Sequence, residues 1–390
     1  MTENPFNLTT EQQGLMDHAD KYARERMYPL AQKMDDEEYW PVDIMREMGG
    51  LGFLGTTVPA EYGGAGMTLM DTGIMLQAFS RWNHALALSW VVHDNLCTNN
   101  FYNNASEVLR KKYLPKLCSG ELIGCLGLTE PGAGSDALGS MRTRAVADRD
   151  DFVLNGSKLY ITNGPIADVC LLYAKTDMNA GSKGITAFLI ETNTPGFSVA
   201  QKLVKMGFRG SQTAELVLED VRVPRENVVG EVNQGHKVVM SGLDFERALI
   251  APISVGIAER ALELAIDYAK TRVQFGKPIA SFQMVQAHIA DMYVWVETMK
   301  TFASKVLAEV SSVDETQAGR GSIHALTAAS VMYCADMCNK VLNSAVQVHG
   351  GSGYIWESEI NRLFRSIKLL EIGAGTTEVR KMIIAGELLR

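Results

Sequence analysis

The feature that most constrains this chain is a double change of texture along its length. From Thr9 to about Gly120 apolar residues recur at helical spacing; between about Gly124 and Gly230 they gather into short β-rich runs parted by turn residues; after Asn233-Gln234-Gly235 helical spacing returns. Thr10 is positioned to cap a first helix carrying Leu15, Ala19 and Tyr22. Residues 59–66 read as a Gly/Pro loop and 71–90 as a long, largely buried helix. In the middle region, runs at 152–154, 158–162, 169–174, 185–190 and 215–223 are separated by Asn155-Gly156, Asn163-Gly164-Pro165 and Thr194-Pro195-Gly196, which predicts an antiparallel β-domain. The last region holds periodic segments at 248–270, 282–310, 321–349 and 377–389 with few breakers inside them, the pattern of a four-helix bundle. The expectation is an α+β multidomain chain divided at 1–123, 124–231 and 232–390. Its 390 residues suffice for two or three domains.

Charge and composition exclude several classes. Lys+Arg 37 against Asp+Glu 45 leaves a net charge of −8, which argues against broad attraction to nucleic acid or an anionic membrane. The longest stretch free of Asp, Glu, Lys and Arg is 341–356, sixteen residues, short of the roughly 18 a membrane span needs. A polar start with Glu11, Asp17 and Asp20 fits neither a secretory signal nor an Arg-rich transit peptide, so a cytoplasmic protein is expected. Six cysteines are scattered. Cys334 and Cys338 share a helix face, but no second Cys/His pair stands near them, which predicts buried thiols and no metal site.

Glycine-rich segments invite a nucleotide reading. Gly50-Leu51-Gly52-Phe53-Leu54-Gly55 matches G-x-G-x-x-G, yet follows a helical segment where a dinucleotide fold needs a strand, so it reads as a helix terminus and loop. The run from Leu126 to Asp136, Leu-Gly-Leu-Thr-Glu-Pro-Gly-Ala-Gly-Ser-Asp, follows an apolar entry. Its backbone and the Thr129 and Ser135 hydroxyls can approach a polar ligand; a plain β-turn explains it equally well. At Gln347-Val348-His349-Gly350-Gly351-Ser352-Gly353-Tyr354 a helix gives way to nearly bare backbone, suited to a phosphate or a neighbouring subunit. No H-E-x-x-H, G-x-S-x-G or P-loop is present, and the seven histidines are dispersed, which leaves carboxylates as the plausible bases.

At Leu128-Thr129-Glu130-Pro131-Gly132-Ala133-Gly134-Ser135-Asp136 the chain resembles the acyl-CoA dehydrogenase family. Further matching segments are Tyr160-Ile161-Thr162-Asn163-Gly164, Met206-Gly207-Phe208-Arg209-Gly210-Ser211, Arg272-Val273-Gln274-Phe275-Gly276-Lys277-Pro278-Ile279 and Gly350-Gly351-Ser352-Gly353-Tyr354. The resemblance implies a helix, sheet and helix fold, bound FAD, an acyl-CoA substrate, electron-transferring flavoprotein as acceptor, and a homotetramer. By motif position it puts Leu126, Leu128, Thr129, Gly134, Ser135, Tyr160, Ile161 and Thr162 at the flavin. Arg272 and Gln283, with Gln347, Val348, His349, Gly350 and Gly351, would hold its ADP part across a subunit interface, and Thr376, Thr377 and Glu378 would follow at the C-terminal contact. Ser135, Ser182, Lys183, Asp244, Arg247, Gly373, Ala374 and Gly375 would meet the acyl-CoA.

One departure carries information. Many members have Tyr-Glu-Gly-Thr with the catalytic glutamate second, where this chain has Gly373-Ala374-Gly375-Thr376. Alanine cannot abstract a proton. Ser241-Gly242-Leu243-Asp244-Phe245-Glu246-Arg247 is similar to the branch, isovaleryl-CoA dehydrogenase among it, that carries the glutamate on an earlier helix, which makes Glu246 the expected base. A carboxylate serves there only if desolvated, and the Ala374 N–H is the expected oxyanion donor. Gly373, lacking the usual ring, leaves room for a branched acyl group. Two further departures are Lys237, where that branch has tyrosine, and Ser366, where the family has aspartate and a structural charge pair is expected to be lost. The resemblance implies dehydrogenation of a short branched acyl-CoA; alternatives are a larger, terpenoid-type acyl-CoA, or a non-catalytic acyl-CoA-binding flavoprotein.

Overall fold

The computed structural model describes residues 8–312 and 321–390. Helix α1 (Thr10–Tyr22) opens on a capping box in which the Thr9 hydroxyl accepts from Gln12 N and the Gln12 side chain accepts from Thr9 N. The cap is thus Thr9 and not Thr10: both have a glutamine three residues on, but Thr9 is the residue that holds extended backbone while Thr10 already lies inside the helix. After α2 (Ala31–Glu37) and α3 (Ile44–Gly50), a second box, Thr68 with Asp71, starts α4 (Leu69–Val91). The short α5 (Asn100–Asn104) and α6 (Glu107–Cys118) complete the first helical region. The G-x-G-x-x-G match does lie at a helix end, α3 closing at Gly50.

Eight strands follow: β1 (Gly124–Gly127), β2 (Arg144–Asp148), β3 (Asp151–Thr162), β4 (Val169–Lys175), β5 (Ile185–Glu191), β6 (Phe197–Lys202), β7 (Thr213–Pro224) and β8 (Val228–Val229). They form one sheet in the order β6-β7-β3-β2-β4-β5-β8, with β1 also on β4. Most pairs are antiparallel, but β1 and β2 run parallel to β4. Every residue of β4 is buried. Its alternate side chains divide between two cores: Val169, Leu171 and Tyr173 face α6, while Cys170, Leu172 and Ala174 face residues of β3 and β7. Asn155-Gly156 is not a turn. It lies inside β3, where the register on β7 shifts between Leu154 and Gly156, and a second shift between Lys158 and Ile161 holds Tyr160 at φ +62°. A bulge uses the same residue types as a turn, which is why the local sequence misleads.

The chain then runs through α7 (Gly235–Thr271), the hairpin β9 (Val273–Gln274) and β10 (Lys277–Pro278), α8 (Gln283–Ser311), α9 (Ser322–His349), α10 (Gly351–Tyr354), α11 (Glu359–Ile372) and α12 (Thr377–Leu388). One apolar core joins both helical regions: Phe79 and Trp90 of α4 belong with Leu249 and Ile253 of α7, Met292 of α8 and Val341 of α9. Each such fully buried side chain contributes about 1.5–3 kcal/mol, so the first region cannot shed the last without exposing a common core. At the crossing of α4 and α7, a Cβ on Gly256 would stand 2.3 Å from Gln77 O, so only glycine permits this approach. The six cysteines are buried free thiols, Cys334 and Cys338 included.

Candidate active site

The loop after β1 is built to be rigid. The buried His93 takes a hydrogen bond from Gly124 N at Nδ1 (2.9 Å) and bonds Leu117 O through Nε2 (3.0 Å), which fixes where β1 begins. Beyond it, Leu159 N donates to Thr129 O (2.8 Å). The fully buried Lys158 donates to Leu128 O (3.1 Å) and Glu130 (2.9 Å), and Glu130 also accepts from Arg142 N and Thr143 N (2.6 and 3.0 Å). Burial works against the Glu130 anion, yet the Lys158 ammonium and these donors hold its carboxyl below the usual range. Burial pulls Lys158 down to about 8, with Glu130 opposing. Loop and strand are therefore stapled together by a buried ion pair.

That staple leaves a mixed surface. Leu126, Leu128, Thr129 and Thr162 are half-buried, Gly134, Ser135 and Tyr160 exposed, and nothing lies within 4 Å of a Cβ built on Gly134. The side chain of Ile161 is a correction: it sits in the sheet core, leaving only its backbone for a ligand, and Val348 is likewise a core residue. Leu126 and Leu128 pack on the same core as Val238, Val239 and Leu243 of α7, which brings the loop to the helix that carries Glu246.

Glu246 keeps a little accessible surface although protein surrounds it, the arrangement of a side chain that lines a cleft. Burial pushes its carboxyl up to about 7, with the guanidinium groups of Arg247 and Arg380 pulling the other way. Among the described residues none donates it a hydrogen bond. Tyr173, fully buried and bonded by Asn100 Nδ2 (3.2 Å), lies near enough to feel its charge. Asp244 faces inward: it accepts from His324 Nδ1 (2.7 Å), Thr327 Oγ1 (3.3 Å) and Arg247 Nη1 (3.4 Å) and is fully buried. Its carboxylate is engaged in joining α7 to α9.

The turn between α11 and α12 contains Gly373 at φ −70°, an ordinary conformation, then Ala374 at φ +53° and Gly375 at φ +90°. No backbone strain demands glycine at 373, although a Cβ there would stand 3.3 Å from Leu369 O and 3.8 Å from Leu369 Cδ1, so a side chain would press on the last turn of α11. Thr376 caps α12 by accepting from Val379 N (3.4 Å), Thr377 donates to Glu371 O (3.3 Å), and Glu378 is exposed. Ser182, Lys183 and Lys237 are exposed, and both lysines face His236 closely enough to depress its basicity, after burial. Ser366 is buried and bonds His84 Nε2 (2.8 Å), Phe208 N (3.0 Å) and Arg362 O (2.9 Å). Burial, with Arg362 and Arg365 nearby, drives His84 down to about 3, so a neutral serine meets a neutral histidine. The neighbouring Arg365 keeps a charge partner in Asp35.

Arg272, Gln283, Gln347, Gly350 and Gly351 are exposed, and His349 is half-buried. Tyr268 stacks on His349 (4.5 Å between centroids) and donates to Ser352 Oγ (3.2 Å), which carries the end of α7 to the glycine-rich turn. Arg272 has no carboxylate partner among the described residues. Apolar edges with free hydroxyls at one end and an unpaired cation beside bare backbone at the other fit an isoalloxazine and a pyrophosphate. The sequence reading missed Arg380, Lys158 and Tyr173; nothing local distinguishes Arg380 from its neighbour Lys381.

A desolvated carboxylate on a bundle helix is thus set against a stapled loop of the sheet, within a helix, sheet and helix architecture. The sequence patterns of the acyl-CoA dehydrogenase N-terminal, middle and C-terminal domains match residues 9–121, 125–221 and 233–389, and the chain belongs to the acyl-CoA dehydrogenase family. It is 44% identical to the mitochondrial isovaleryl-CoA dehydrogenase of Solanum tuberosum over 95% of this chain and 88% of that one. It is 42% identical, with the same coverage, to the mitochondrial 2-methylacyl-CoA dehydrogenase of that plant. Butyryl-CoA dehydrogenase from Megasphaera elsdenii superposes with a TM-score of 0.93 at 35% identity, covering 98% of this chain and 99% of that one. A chain from the structure of the electron transferring flavoprotein of Acidaminococcus fermentans does so with a TM-score of 0.93 at 34% identity, covering 99% of both. The activity is that of an acyl-CoA dehydrogenase, an oxidoreductase with a flavin cofactor. Among the described residues no helix is long and apolar enough to cross a membrane.

Proposed function

We propose that this chain oxidises a short, branched acyl-CoA, isovaleryl-CoA first, to the 2-enoyl-CoA, with FAD as cofactor and electron-transferring flavoprotein as electron acceptor. FAD, when bound, supplies the acceptor for the hydride that leaves the β-carbon. The chain's own part is proton transfer and charge stabilisation. Glu246 takes the α-proton, a task its desolvated carboxyl suits because a carboxylate with a pKa of about 7 is still about half ionised at neutral pH and far more basic than an ordinary one. The Ala374 N–H donates to the thioester oxygen as negative charge gathers there. Main-chain donors do not depend on the side chain, so alanine serves where relatives have glutamate. Leu126, Leu128, Thr129, Ser135, Tyr160 and Thr162 would flank the flavin ring.

The single observation that carries the reading is Glu246 itself, desolvated and without a bond that would commit it to structure. Branching is supported by the absence of a side chain at Gly373 and by similarity to isovaleryl- and 2-methylacyl-CoA dehydrogenases. Glu246 and the end of α7 near Arg272 are 25 residues apart, about 38 Å of helix. One extended dinucleotide does not span that length, which supports an ADP site completed by a second copy. Exposed Phe275, Met284 and Tyr354 supply apolar surface for such assembly, in keeping with a homotetramer. The division at 1–123, 124–231 and 232–390 and a reducing, cytoplasmic setting for the free thiols belong to the same proposal.

Purified holoprotein assayed with an artificial electron acceptor tests it. Glu246→Gln is expected to keep its flavin absorbance and lose about 10³-fold in kcat, within the usual range for a general base. Near-normal turnover would remove Glu246 from the mechanism. Across acyl chains, a maximum at isovaleryl-CoA with decline beyond it is expected; a maximum at longer branched chains would transfer the assignment to a terpenoid-type substrate.

A further inference from the structure

Arg380 is the only buried residue of α12, and it is completely buried. Taking a guanidinium out of water costs several kcal/mol unless it is matched, and among the described residues no carboxylate stands at ion-pair distance. Its bonds go instead to main chain at the end of α11: Nη1 to Leu370 O (2.9 Å) and Nη2 to Gly373 O (2.5 Å). The negative end of the α11 dipole offsets part of the cost. Nε has no partner among the described residues.

The bond to Gly373 O has a consequence one atom further on. Gly373 O and the Ala374 N–H belong to one planar trans peptide, so they point in opposite directions. A donor that grips the oxygen from one side fixes the N–H on the other, and it polarises the amide toward better donation. The grip is needed because Ala374 at φ +53° occupies a region costing about 1–2 kcal/mol for a residue with a Cβ. A flip of the 373–374 peptide turns ψ at Gly373 and φ at Ala374, and Gly373, lacking a Cβ, offers it little resistance. The remaining restraints on the turn, Gly373 N to Leu369 O (2.7 Å) and Thr377 Oγ1 to Glu371 O (3.3 Å), do not touch the 373–374 peptide.

We propose that Arg380 is a positioning residue of the reaction: its fork onto Leu370 O and Gly373 O locks the 373–374 peptide so that the Ala374 N–H, and not the Gly373 carbonyl, faces the thioester oxygen. This rests on the roles proposed for Ala374 and Glu246.

The test reads the carbonyl directly. The infrared band of a 2-enoyl-CoA product carrying ¹³C at its thioester carbonyl is recorded bound to holoenzyme in wild type, Arg380→Met, Arg380→Lys and Glu246→Gln, each normalised to bound flavin. Wild type and Glu246→Gln are expected to shift the band strongly to lower frequency. Arg380→Met is expected to lose most of that shift and about 10²-fold in kcat with KM within threefold, the penalty typical of a misplaced group. Arg380→Lys should recover part of both, since one ammonium cannot reach both carbonyls as a fork does. A wild-type band and kcat in Arg380→Met would overturn the inference while leaving Glu246 untouched. If that variant fails to retain flavin, Arg380→Lys decides: a band at the full wild-type shift together with wild-type kcat there overturns it. Absence of any shift in wild type would instead refute the oxyanion reading beneath it, and normal turnover in Glu246→Gln would refute the base.

Discussion

Two desolvated glutamates, Glu130 in the interior and Glu246 lining a cleft, behave in opposite ways. Glu130, between the β1 loop and β3, is surrounded by donors: Lys158 Nζ, Arg142 N and Thr143 N. Glu246, on α7, has none, only the field of Arg247 and Arg380. Both are penalised by desolvation; the adjacent Lys158 charge, with the hydrogen bonds it and its neighbours donate, brings the first below the ordinary carboxylate range, while the second stays up at about 7. The lesson is that burial makes a carboxylate reactive only where the fold withholds partners. The first glutamate staples a loop, and the second is free to accept a proton.

The contrast can be broken most forcefully at the staple. Lys158→Met leaves Glu130 buried without its countercharge and is expected to destabilise the folded protein by about 3–5 kcal/mol, measured by chemical denaturation of the holoprotein. A loss below 1 kcal/mol would show that the pair is not structural. The next effect is catalytic: since the base must be ionised, kcat/KM should fall about tenfold per pH unit below about 7, the value set by Glu246. A profile flat down to pH 5 would contradict a desolvated base.

The smallest effect concerns stability. The folded state binds the Glu246 proton more tightly than the unfolded chain does. The resulting stabilisation is present in full below the unfolded value of about 4.5 and disappears as pH rises through about 7. Glu246→Gln imitates the protonated form, so its Tm should exceed wild type by about 2–4 °C at pH 8 and match it near pH 4.5, by calorimetry. An equal difference at both values would mean that the carboxylate is not desolvated in the fold. The same substitution at Glu130 should lower Tm at pH 8, the opposite sign.

Much of this is legible in the sequence. Helical and β textures locate the regions because amphipathic periodicity is local, and long segments such as α8 and α9 emerge from it with bounds within a residue or two. Strand β2, edge strand β6 and helix α11 escape it, the first two being short and largely exposed. Glu246 is reached by resemblance and by the absence of a carboxylate at Ala374, both linear facts. The bonds of Asp244 could not be read this way, because its neighbours in sequence give no hint of His324 and Thr327, some eighty residues further along.

What the sequence alone determined is the succession of helix, sheet and helix, the family, and the identity of the residues available for chemistry, since these depend on neighbours along the chain and on matched motifs. What only the tertiary structure decided is which acid is held ionised and which is left basic, that Asn155-Gly156 bulges where it could have turned, and that Arg380 grips the Gly373 carbonyl. Each of these depends on groups from distant segments meeting in a medium of low dielectric, where one hydrogen bond given or withheld moves a proton equilibrium by orders of magnitude.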